Sequence, residues 1–554
     1  MEEKFDVDVP VLVVGGSLVG LATSLFLSRH GIRHLLVEKH AGVSPHPRGR
    51  GINARTMELF RVAGAEPDIR SAAAVLEENK GLIQATSLTG GDHRWLVENT
   101  DPGGALAKFS PTRWCLCSQN NIEPVLASLS RAAGADVRFS TELISFDQDP
   151  EGVSAVVKDR DGGQHIRVRA QYLIAADGPR SPVREQLGIP QSGNGDLFHN
   201  VSITFRSRRL PELLGDLRFI VCYLIKPGAD GALLPVDNDQ NWVFHAPWHP
   251  ETGETMEDFT DERCVSHIRR AIGVPDLDVE IGGKAAWHAA ERVAERYSVG
   301  RVFLAGDAVH EMSPTGAFGS NTGIQDAHNL AWKLAAVLAG EAGPELLETY
   351  GEERRPVALA TSERASARSV EHDHPGYSPL PGAPGVPGGP SGKAGRDSRM
   401  LPTAMAYCYP QGAVIGGDPA REIIPAGMKL DGEPGSRAPH LWLQGPAGRM
   451  SSLDLYERSF VLLSSPGTPW QAAAGRVAGQ LSVRLAGHTM GGGDAADAEL
   501  RTEEGVDWAA AHGVRAEGAV LVRPDGFVAW RSEGPAKDPA AVLTQALTRL
   551  LHRT

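Results

Sequence analysis

The sequence predicts an α/β fold, α+β overall, built from three units, and three observations support this. A β-branched run at residues 9–14 leads into a glycine-rich turn, an apolar helix and a second apolar run at residues 32–37, which together form a βαβ unit. Alternating segments between residues 195 and 285 are typical of an antiparallel sheet with one covered face. A stretch rich in Pro and Gly between residues 374 and 396 separates these two units from a third.

The remaining elements follow in order from the same patterns. Strands are predicted at residues 137–146, 153–157 and 172–176 in the first unit, and at 201–205, 219–224 and 242–246 in the second. Residues 302–370 return to a strand, a glycine turn and a long helix. In the third unit strands are predicted at 460–463 and 519–522, and the turn at 524–526 closes a hairpin onto 527–530.

These elements predict four segments of domain organisation. The first domain is discontinuous and covers residues 1–190 and 286–372. A β-sheet domain covers residues 191–285, a linker covers 373–399, and a C-terminal domain covers 400–554. The length of 554 residues fits this number of units at about 150 residues per domain.

Charge and cysteine content exclude several classes of protein. The net charge of −13 argues against nucleic acid or an anionic membrane as the main partner, since both need a concentrated basic face. The five scattered cysteines predict neither a disulfide framework nor a metal site and favour a reducing compartment. The acidic N-terminus is followed by no long apolar run, which predicts neither a signal peptide nor a membrane helix. We expect a cytoplasmic protein without nucleic-acid or membrane partners, either a monomer or a homodimer.

The first motif is the glycine turn after residues 9–14. Gly15 suits a tight turn, and Gly20 suits close packing of the helix on the strand. The position between them, where a backbone approaches a pyrophosphate, is Ser17, whose hydroxyl we expect to be able to donate to a phosphate. Glu38 follows the second strand, where an acid binds a ribose diol and repels a 2′-phosphate. The motif predicts a Rossmann-like domain for an adenosine diphosphate of the FAD or NAD type.

Two further motifs follow predicted strands. Asp177-Gly178 opens a turn and a helix start, with Ser181 as its cap. Asp307 comes after the strand at 302–305 and suits acceptance of a hydrogen bond from a polyol hydroxyl. The glycine-rich turn at 314–323 opens a helix and suits a group that acquires negative charge.

These three motifs, in this order, resemble the class A flavoprotein monooxygenases, the aromatic hydroxylases of the p-hydroxybenzoate hydroxylase type. The resemblance covers residues 8 to 370. The stretches at 46–59 and 118–123 are most similar to the aromatic polyketide hydroxylases of antibiotic pathways, the subfamily typified by aklavinone hydroxylase. Beyond residue 400 the chain is similar to the thioredoxin-like C-terminal domain of that subfamily. No cysteine follows Cys408, so this domain has no C-x-x-C motif for redox activity.

The resemblance implies which residues bind FAD. The set is Gly15, Ser17, Leu18, Gly20, Glu38, Lys39, Arg48, Gln119, Asp177, Gly178, Asp307, Pro314, Gly319, Ser320 and Asn321. Of these, the glycine-turn residues hold the pyrophosphate, Arg48 and Gln119 lie near the ribityl or flavin region, and Asp307 binds the ribityl chain.

The resemblance implies no certain catalytic side chain. The backbone of Pro314, Gly316, Ala317 and Gly319 lies along the flavin, and Ala317 stands where the family usually has glycine. His245, Tyr223 and Trp242 lie on predicted strands of the second domain, where they either line a substrate pocket or fill the core. No metal is implied.

The activity that the resemblance implies is aromatic hydroxylation. NADPH reduces FAD, with NADH not excluded, and dioxygen then forms a flavin C4a-hydroperoxide that transfers oxygen to an electron-rich ring. The substrate is a small aromatic molecule, a polycyclic polyketide of antibiotic biosynthesis. The chain has no second Rossmann unit, so NADPH binds transiently in a shared groove. Three alternatives stay open: Baeyer–Villiger oxygenation, hydroxylation that inactivates an antibiotic, and a flavin-binding protein without turnover.

Overall fold

The computed structural model describes residues 4–371, 400–493, 495 and 497–553. The predicted linker at 373–399 lies outside these residues. Residues 4–190 form β1 (Val7–Val14), α1 (Leu18–Arg29), β2 (His34–Val37), β3 (Gly51–Ile52), α2 (Ala54–Val62), α3 (Glu66–Ala73), β4 (Leu82–Ala85), β5 (Arg94–Val97), β6 (Cys115–Leu116), α4 (Gln119–Ala132), β7 (Asp136–Arg138), β8 (Thr141–Gln148), β9 (Val153–Asp159), β10 (His165–Ala175) and α5 (Pro182–Gln186).

Two further stretches contain the remaining elements. Residues 191–371 form β11 (Gln191–Arg206), α6 (Leu210–Leu214), β12 (Val221–Leu224), β13 (Gly231–Pro235), β14 (Asn241–Trp248), α7 (Asp261–Ile272), β15 (Glu280–Ala294), β16 (Ser298–Val299), β17 (Val302–Leu304), β18 (His310–Glu311), α8 (Phe318–Leu338) and α9 (Thr349–Glu371). The C-terminal stretch forms α10 (Met400–Met405), β19 (Trp442–Gly445), β20 (Gly448–Ser451), β21 (Phe460–Ser464), α11 (Trp470–Leu481), β22 (Leu485–Gly491), β23 (Leu500–Thr502), α12 (Trp508–Ala511), β24 (Ala519–Val522), β25 (Val528–Ser532) and α13 (Pro539–Leu550).

The first sheet confirms the predicted βαβ unit. Its main strand order is β16-β17-β10-β1-β2-β7, and β8 and β9 extend it from β10. Strands β17, β10, β1, β2 and β7 run parallel. Residues 11–13 of β1 have no exposed surface, as a β-branched run predicts for a central strand. The strand predicted at 137–146 is two strands, because the chain turns at Ser140, whose φ is +50°.

The second sheet is largely antiparallel, as predicted, but larger than its predicted boundaries. Its strand order is β18-β15-β11-β14-β13-β12-β4-β5. Strands β4 and β5 come from inside the first predicted domain, and β15 continues past residue 285 to Ala294. The boundaries at 191 and 285 are therefore corrected: residues 82–85, 94–97, 286–294 and 310–311 also belong to this sheet. One face packs on α7 around a core of residues that includes Ile203, Phe244 and Ile268.

The third sheet has the order β20-β19-β23-β22-β21-β24-β25. Strands β21 and β22 are parallel and joined by α11, while β24 and β25 form the antiparallel hairpin predicted around residues 524–526. This βαβ unit followed by a hairpin and a helix is the predicted thioredoxin-like arrangement. Its core extends into the first domain, since Trp332 of α8 packs among residues that include Leu462, Trp470 and Leu547.

Within the described residues, no helix combines the length and the apolar character needed to span a lipid bilayer.

Candidate active site

The site lies where neighbouring strands of the first sheet end. β1, β2, β10 and β17 are parallel, so their carboxyl ends meet at one edge of the sheet. The chain delivers Gly15 after β1, Glu38 after β2, Asp177 after β10 and Asp307 after β17. The fold therefore brings the three motifs of the sequence to a single cleft.

The turn after β1 requires glycine at two positions. Gly15 has a φ of +103°, and a Cβ there would lie 2.2 Å from the carbonyl oxygen of Ala176. A Cβ on Gly20 would lie 1.8 Å from the carbonyl oxygen of Gly15. The start of α1 is therefore packed directly against the ends of β1 and β10. Leu18, the first residue of α1, has a buried side chain, so it could contact a ligand only through its backbone.

Ser17 occupies the N-cap position of α1, but its hydroxyl makes no hydrogen bond to the helix backbone ahead of it and binds other side chains instead. Ser17 Oγ donates to Glu123 Oε1 at 2.6 Å and accepts from Gln119 Nε2 at 2.9 Å. Gln119 Nε2 also donates to the same Glu123 oxygen at 2.7 Å. A hydroxyl has one proton, and in this structure Glu123 receives it. The expectation that Ser17 donates to a phosphate is corrected accordingly, and backbone N–H groups are left for that task.

Glu123 is a residue that the sequence analysis missed. Its side chain has no exposed surface, and among the described residues no basic side chain forms an ion pair with it. It lies near the start of α4, and its carboxylate accepts from the cap of α1, so the positive ends of two helices stabilise it. The available signal was its position four residues after Gln119, which places both on one helix face.

Glu38 closes the turn from the side of β2. Its Oε2 accepts from the Gly16 backbone N–H at 2.7 Å, and its Oε1 accepts from the His40 backbone N–H at 2.9 Å. The carboxylate thus lies beside the start of α1, where a ribose linked to a pyrophosphate would be. Lys39 follows with an exposed side chain.

Asp177 has one carboxylate oxygen without a partner. Its Oδ2 accepts from the Val183 backbone N–H at 3.3 Å, whereas its Oδ1 is buried and accepts no hydrogen bond from the described residues. Burial raises the pKa of Asp177. As predicted, Ser181 caps the next helix by accepting from the Arg184 backbone N–H. A buried acceptor oxygen at this edge fits a ligand that carries hydroxyl or amide donors.

Asp307 faces the cleft on the turn after β17. Its side chain is exposed, and no described residue donates a hydrogen bond to it. The surrounding protein displaces much of the water near the carboxyl group, and this desolvation raises the pKa of Asp307, while the nearby His310 and Arg48 lower it. Behind this turn, His310 Nε2 and Arg354 Nε bind the two oxygens of the buried Asp326, at 2.8 and 2.7 Å.

The turn at 314–321, called the α8 turn below, begins the long buried helix. Ala317 adopts the left-handed conformation with φ +55° and ψ +36°, directly before α8. Asn321 Nδ2 donates to the carbonyls of Ala317 at 2.6 Å and Gly51 at 2.8 Å, while its Oδ1 accepts from the Asn53 N–H at 2.9 Å. Asn321 therefore joins the α8 turn to the segment between β3 and α2. Pro314, Gly319 and Ser320 all keep part of their surface exposed there.

The second sheet supplies the other wall of the cleft. Tyr223, Ala232, His245 and Ser202 are register partners on adjacent strands, so they share one face. Ser202 Oγ binds His46 Nε2 at 2.8 Å, and His46 belongs to the segment that leads to Arg48. This face of the second sheet therefore lies against the first domain.

Trp242 lies on the opposite face of that sheet. It alternates with His245 along β14, and its side chain is 2% exposed in the core against α7. The structure thus removes Trp242 from the predicted substrate pocket, because an even spacing along a strand is needed to share a face. Trp287 takes its place: its indole N–H donates to His245 Nδ1 at 3.3 Å. No sequence pattern pointed to this contact, which depends on the pairing of β11 with β15 and β14.

The segment between His46 and Asn53 connects both walls. Arg48 is exposed beside it, whereas Arg50 is buried and donates to the carbonyls of Ile220, at 2.7 Å, and Pro235. Arg50 therefore fastens the segment to the second sheet, while Gly51 and Asn53 fasten it to the α8 turn.

Taken together, these groups fit a dinucleotide that carries a polyol chain. The tight turn at α1 offers backbone N–H groups to a pyrophosphate. Asp177 Oδ1 and the Asp307 carboxylate, to which no described residue donates a hydrogen bond, can accept from hydroxyl groups, and the α8 turn offers the positive end of a long helix. Among the described residues, no group of three or more His, Cys, Asp or Glu could hold a metal ion. The fold and site define a flavin-binding protein.

Comparisons with known proteins agree with this geometry. The family described as FAD binding domain matches residues 8–365, and the family described as aromatic-ring hydroxylase, C-terminal, matches residues 431–554. A Streptomyces halstedii protein named as a polyketide hydroxylase is 63% identical over 549 residues, covering 98% of this chain and 97% of its own. The tetracenomycin A2 monooxygenase-dioxygenase of Streptomyces glaucescens is 40% identical over 570 residues, covering 99% and 97%. The crystal structure of aklavinone-11 hydroxylase with FAD and aklavinone is 35% identical, with a TM-score of 0.86 and 100% of both chains covered.

The chain therefore belongs to the family of FAD-dependent aromatic-ring hydroxylases. It is an enzyme, a flavoprotein monooxygenase with FAD as its cofactor. The resemblance seen in the three sequence motifs and in the C-terminal domain is confirmed.

Proposed function

We propose that the enzyme hydroxylates a polycyclic aromatic polyketide with NADPH as reductant and dioxygen as the oxygen source, in the cleft between the two N-terminal sheets. The observation that carries this proposal is the segment from His46 to Asn53. It contacts the second sheet through His46 and Arg50 and the α8 turn through Asn53. A flat substrate between these walls would lie next to a ring held at the α8 turn.

The residues at the strand ends would hold FAD in an extended form. Gly15, Ser17 and Gly20 would let the α1 backbone contact the pyrophosphate, and Glu38 would accept from the adenosine ribose. Asp307 would accept from the ribityl chain. Two observations support these roles. Glycine at positions 15 and 20 lets the turn pack closely, and no described residue donates a hydrogen bond to Asp307. When bound, FAD supplies the hydride acceptor and the site of dioxygen activation.

Two further groups would place the flavin ring. Gln119 uses its Nε2 for Ser17 and Glu123, which leaves its carbonyl oxygen beside Gly49. Asp177 would receive a donor at its buried Oδ1. The α8 turn would direct the positive end of α8 at the ring, and this electrostatic arrangement stabilises negative charge that develops there.

On the substrate side, Trp287 fixes the protonation pattern of His245. The indole N–H donates to Nδ1, so neutral His245 carries its own proton on Nε2. Nδ1 is therefore not available as a base. Trp287, His245 and Tyr223 would form the wall against which the polycyclic substrate packs.

The experiment begins with the absorbance spectrum of the purified full chain, which we expect to show bound FAD. NADPH oxidation is then measured with and without a panel of polycyclic phenols and quinones, and products are analysed after reaction in isotopically labelled dioxygen. We expect one class of aromatic compound to stimulate NADPH oxidation and to gain one labelled oxygen on a ring carbon. Stimulation by no aromatic compound, or insertion of oxygen beside a ketone, would contradict the proposal.

A further inference from the structure

The end of the β24–β25 hairpin, residues 523–527, is buried in the first domain. We call these residues the hairpin tip. Arg523, Asp525 and Phe527 are 0%, 3% and 1% exposed, whereas connections between strands usually lie at the surface. The C-terminal domain thus inserts a charged turn into the N-terminal part of the molecule.

Arg523 uses all five of its N–H donors. Its two terminal nitrogens donate to the two carboxylate oxygens of Glu353 at 2.7 and 2.9 Å. Its Nε and one terminal nitrogen donate to the two oxygens of Asp525, and the remaining N–H reaches the Ala413 carbonyl at 3.2 Å. A guanidinium with every donor satisfied and two carboxylates around it holds a single geometry.

Through Glu353 the hairpin tip is fixed to α8. Glu353 Oε2 accepts from Lys333 Nζ at 2.8 Å and from Asn329 Nδ2 at 2.7 Å, and both residues lie on α8. Asn329 Nδ2 also reaches Asp525 Oδ2 at 3.2 Å. All of these side chains are buried. The contacts lie in the middle of the helix that begins at the α8 turn.

The same tip is fixed to α2. The Arg55 guanidinium donates to the Asp525 carbonyl oxygen at 2.6 Å and to Glu58 Oε2 at 3.0 Å. Glu58 in turn accepts two hydrogen bonds from Arg437 of the C-terminal part, at 2.6 and 3.0 Å. Helix α2 is therefore anchored to the C-terminal part along the face that carries Arg55 and Glu58.

Helices α2 and α8 are the two elements that frame the α8 turn. Besides the contacts of Asn321 with the start of α2, Gln325 Nε2 donates to Thr56 Oγ1 at 3.2 Å. A Cβ on Gly51 would lie 2.8 Å from the Ala317 Cβ, so the two segments touch. Any change in the relative position of α2 and α8 alters this contact.

We infer that the hairpin tip is a positioning element for the reaction: by fixing α2 against α8, it sets the contact between Gly51 and Ala317, beside which the flavin ring would lie. Networks of buried charges add little net stability, but they select one arrangement of the elements that they join. The C-terminal domain would in this way act on the flavin without contacting it. The inference rests on the proposed function for the place of the flavin at the α8 turn.

The test uses two variants of the full-length enzyme and one control. Asn329→Ala is an uncharged change that removes both hydrogen bonds between Asn329 and the tip network. Asp525→Asn keeps the shape of the side chain and removes its charge. The control is Arg484→Gln, which removes the 2.6 Å ion pair between Arg484 and Glu341, beyond the far end of α8. Circular dichroism checks folding, and the dissociation constant of FAD and the hydrogen peroxide formed per NADPH are measured.

We expect both variants to bind FAD about tenfold more weakly, a typical coupling between two sites, and to form more hydrogen peroxide per NADPH, while Arg484→Gln matches the wild type. Should Asp525→Asn fail to fold, Asn329→Ala decides. A folded Asn329→Ala enzyme with wild-type FAD affinity and peroxide yield overturns the inference, as does one that does not fold or a control with equal losses. If the wild type hydroxylates no aromatic compound, the proposed function fails, while the FAD affinities still test the hairpin tip.

Discussion

Ala317 shows how a single residue carries backbone strain at the site. Its φ of +55° lies in the left-handed region, where a Cβ costs about 1–2 kcal/mol. The family's usual glycine would adopt this conformation freely. The sequence shows that Ala317 stands in place of the glycine, but only the structure shows that the turn keeps its shape. Asn321 Nδ2 holds it by donating to the Ala317 carbonyl.

We predict that Ala317→Gly leaves the free energy of unfolding unchanged or raises it by up to about 1 kcal/mol. Relief of the left-handed strain offsets the larger conformational entropy of glycine in the unfolded chain. Ala331→Gly, in the interior of the following helix α8, is the control and should lower stability by about 1 kcal/mol. Urea denaturation of both variants measures the difference. Equal losses in the two variants would show that Ala317 is not strained.

Ser17 offers a second prediction at this scale. Ser17→Ala leaves the buried Glu123 carboxylate with one donor fewer, which should cost about 1–3 kcal/mol. Ser130→Ala is the control, since Ser130 lies on α4, is buried, and its Oγ has no hydrogen-bond partner within the described structure. Denaturant titration should show a loss for Ser17→Ala and a change below about 0.5 kcal/mol for the control. A larger loss for Ser130→Ala would contradict the role of the Ser17–Glu123 bond.

At the scale of elements, β11, β15 and β18 meet in a charged cluster at the sheet edge. His288 of β15 binds Glu311 of β18 at 3.2 Å, and Arg292 binds both Glu311 and Asp196. The hydrogen bond with Glu311 raises the pKa of His288 above its ordinary value of 6.5. Protonated His288 therefore ties β18, the strand that precedes the α8 turn, to its neighbour β15 within the second sheet.

This cluster predicts a dependence of stability on pH. Because the folded-state pKa of His288 is raised, its contribution is fully present below pH 6.5 and is lost as pH rises through the higher folded value. His288→Gln should lack that dependence. Unfolding free energies measured from pH 5.5 upward, in steps of about half a unit, should show the wild type losing stability relative to the variant. Parallel curves for the two proteins would contradict the prediction.

The elements also show where sequence reasoning reached its limit. The strands around the glycine turn and the hairpin at 524–526 were predictable, because a buried β-branched run and a Pro-Asp-Gly turn are local signals. β4 and β5 have four residues each, too few to establish a period, and β12, the strand that pairs with β4, is more than a hundred residues away. Trp242 and His245 lie on the same predicted strand, and no sequence pattern shows which of them faces the substrate side. Side chains alternate between the two faces of a strand, so the observed β14 places these two residues on opposite faces.

At the scale of the whole molecule, the domains share their interior. Trp332 and Ala336 of α8 pack in one core with Phe460, Trp470 and Leu547. The hairpin tip covers the same helix. The surface between the first and third domains is therefore built like the inside of a domain, not like a transient interface.

We predict that a chain ending at residue 371 does not give folded protein, because it would expose the Trp332 face of α8 and leave Lys333 and Glu353 without Arg523. In the full chain, Trp332→Ala should cost about 3–5 kcal/mol of unfolding free energy. Expression of the truncated chain, with sedimentation and circular dichroism, measures the first effect, and denaturation measures the second. A monomeric, folded fragment that binds FAD would contradict a shared interior.

The pairing of β4 with β12, and of β1 with β10 and β10 with β17, has a consequence for biosynthesis. The first sheet is complete only when residue 304 has left the ribosome and the second only when residue 311 has, which takes about 15–60 s at about 5–20 residues per second. The charged face of α8 then stays uncovered until the residues of the hairpin tip have also been synthesised. During this interval the nascent chain carries unpaired strand edges, so an ample supply of chaperones during synthesis should raise the yield of native enzyme.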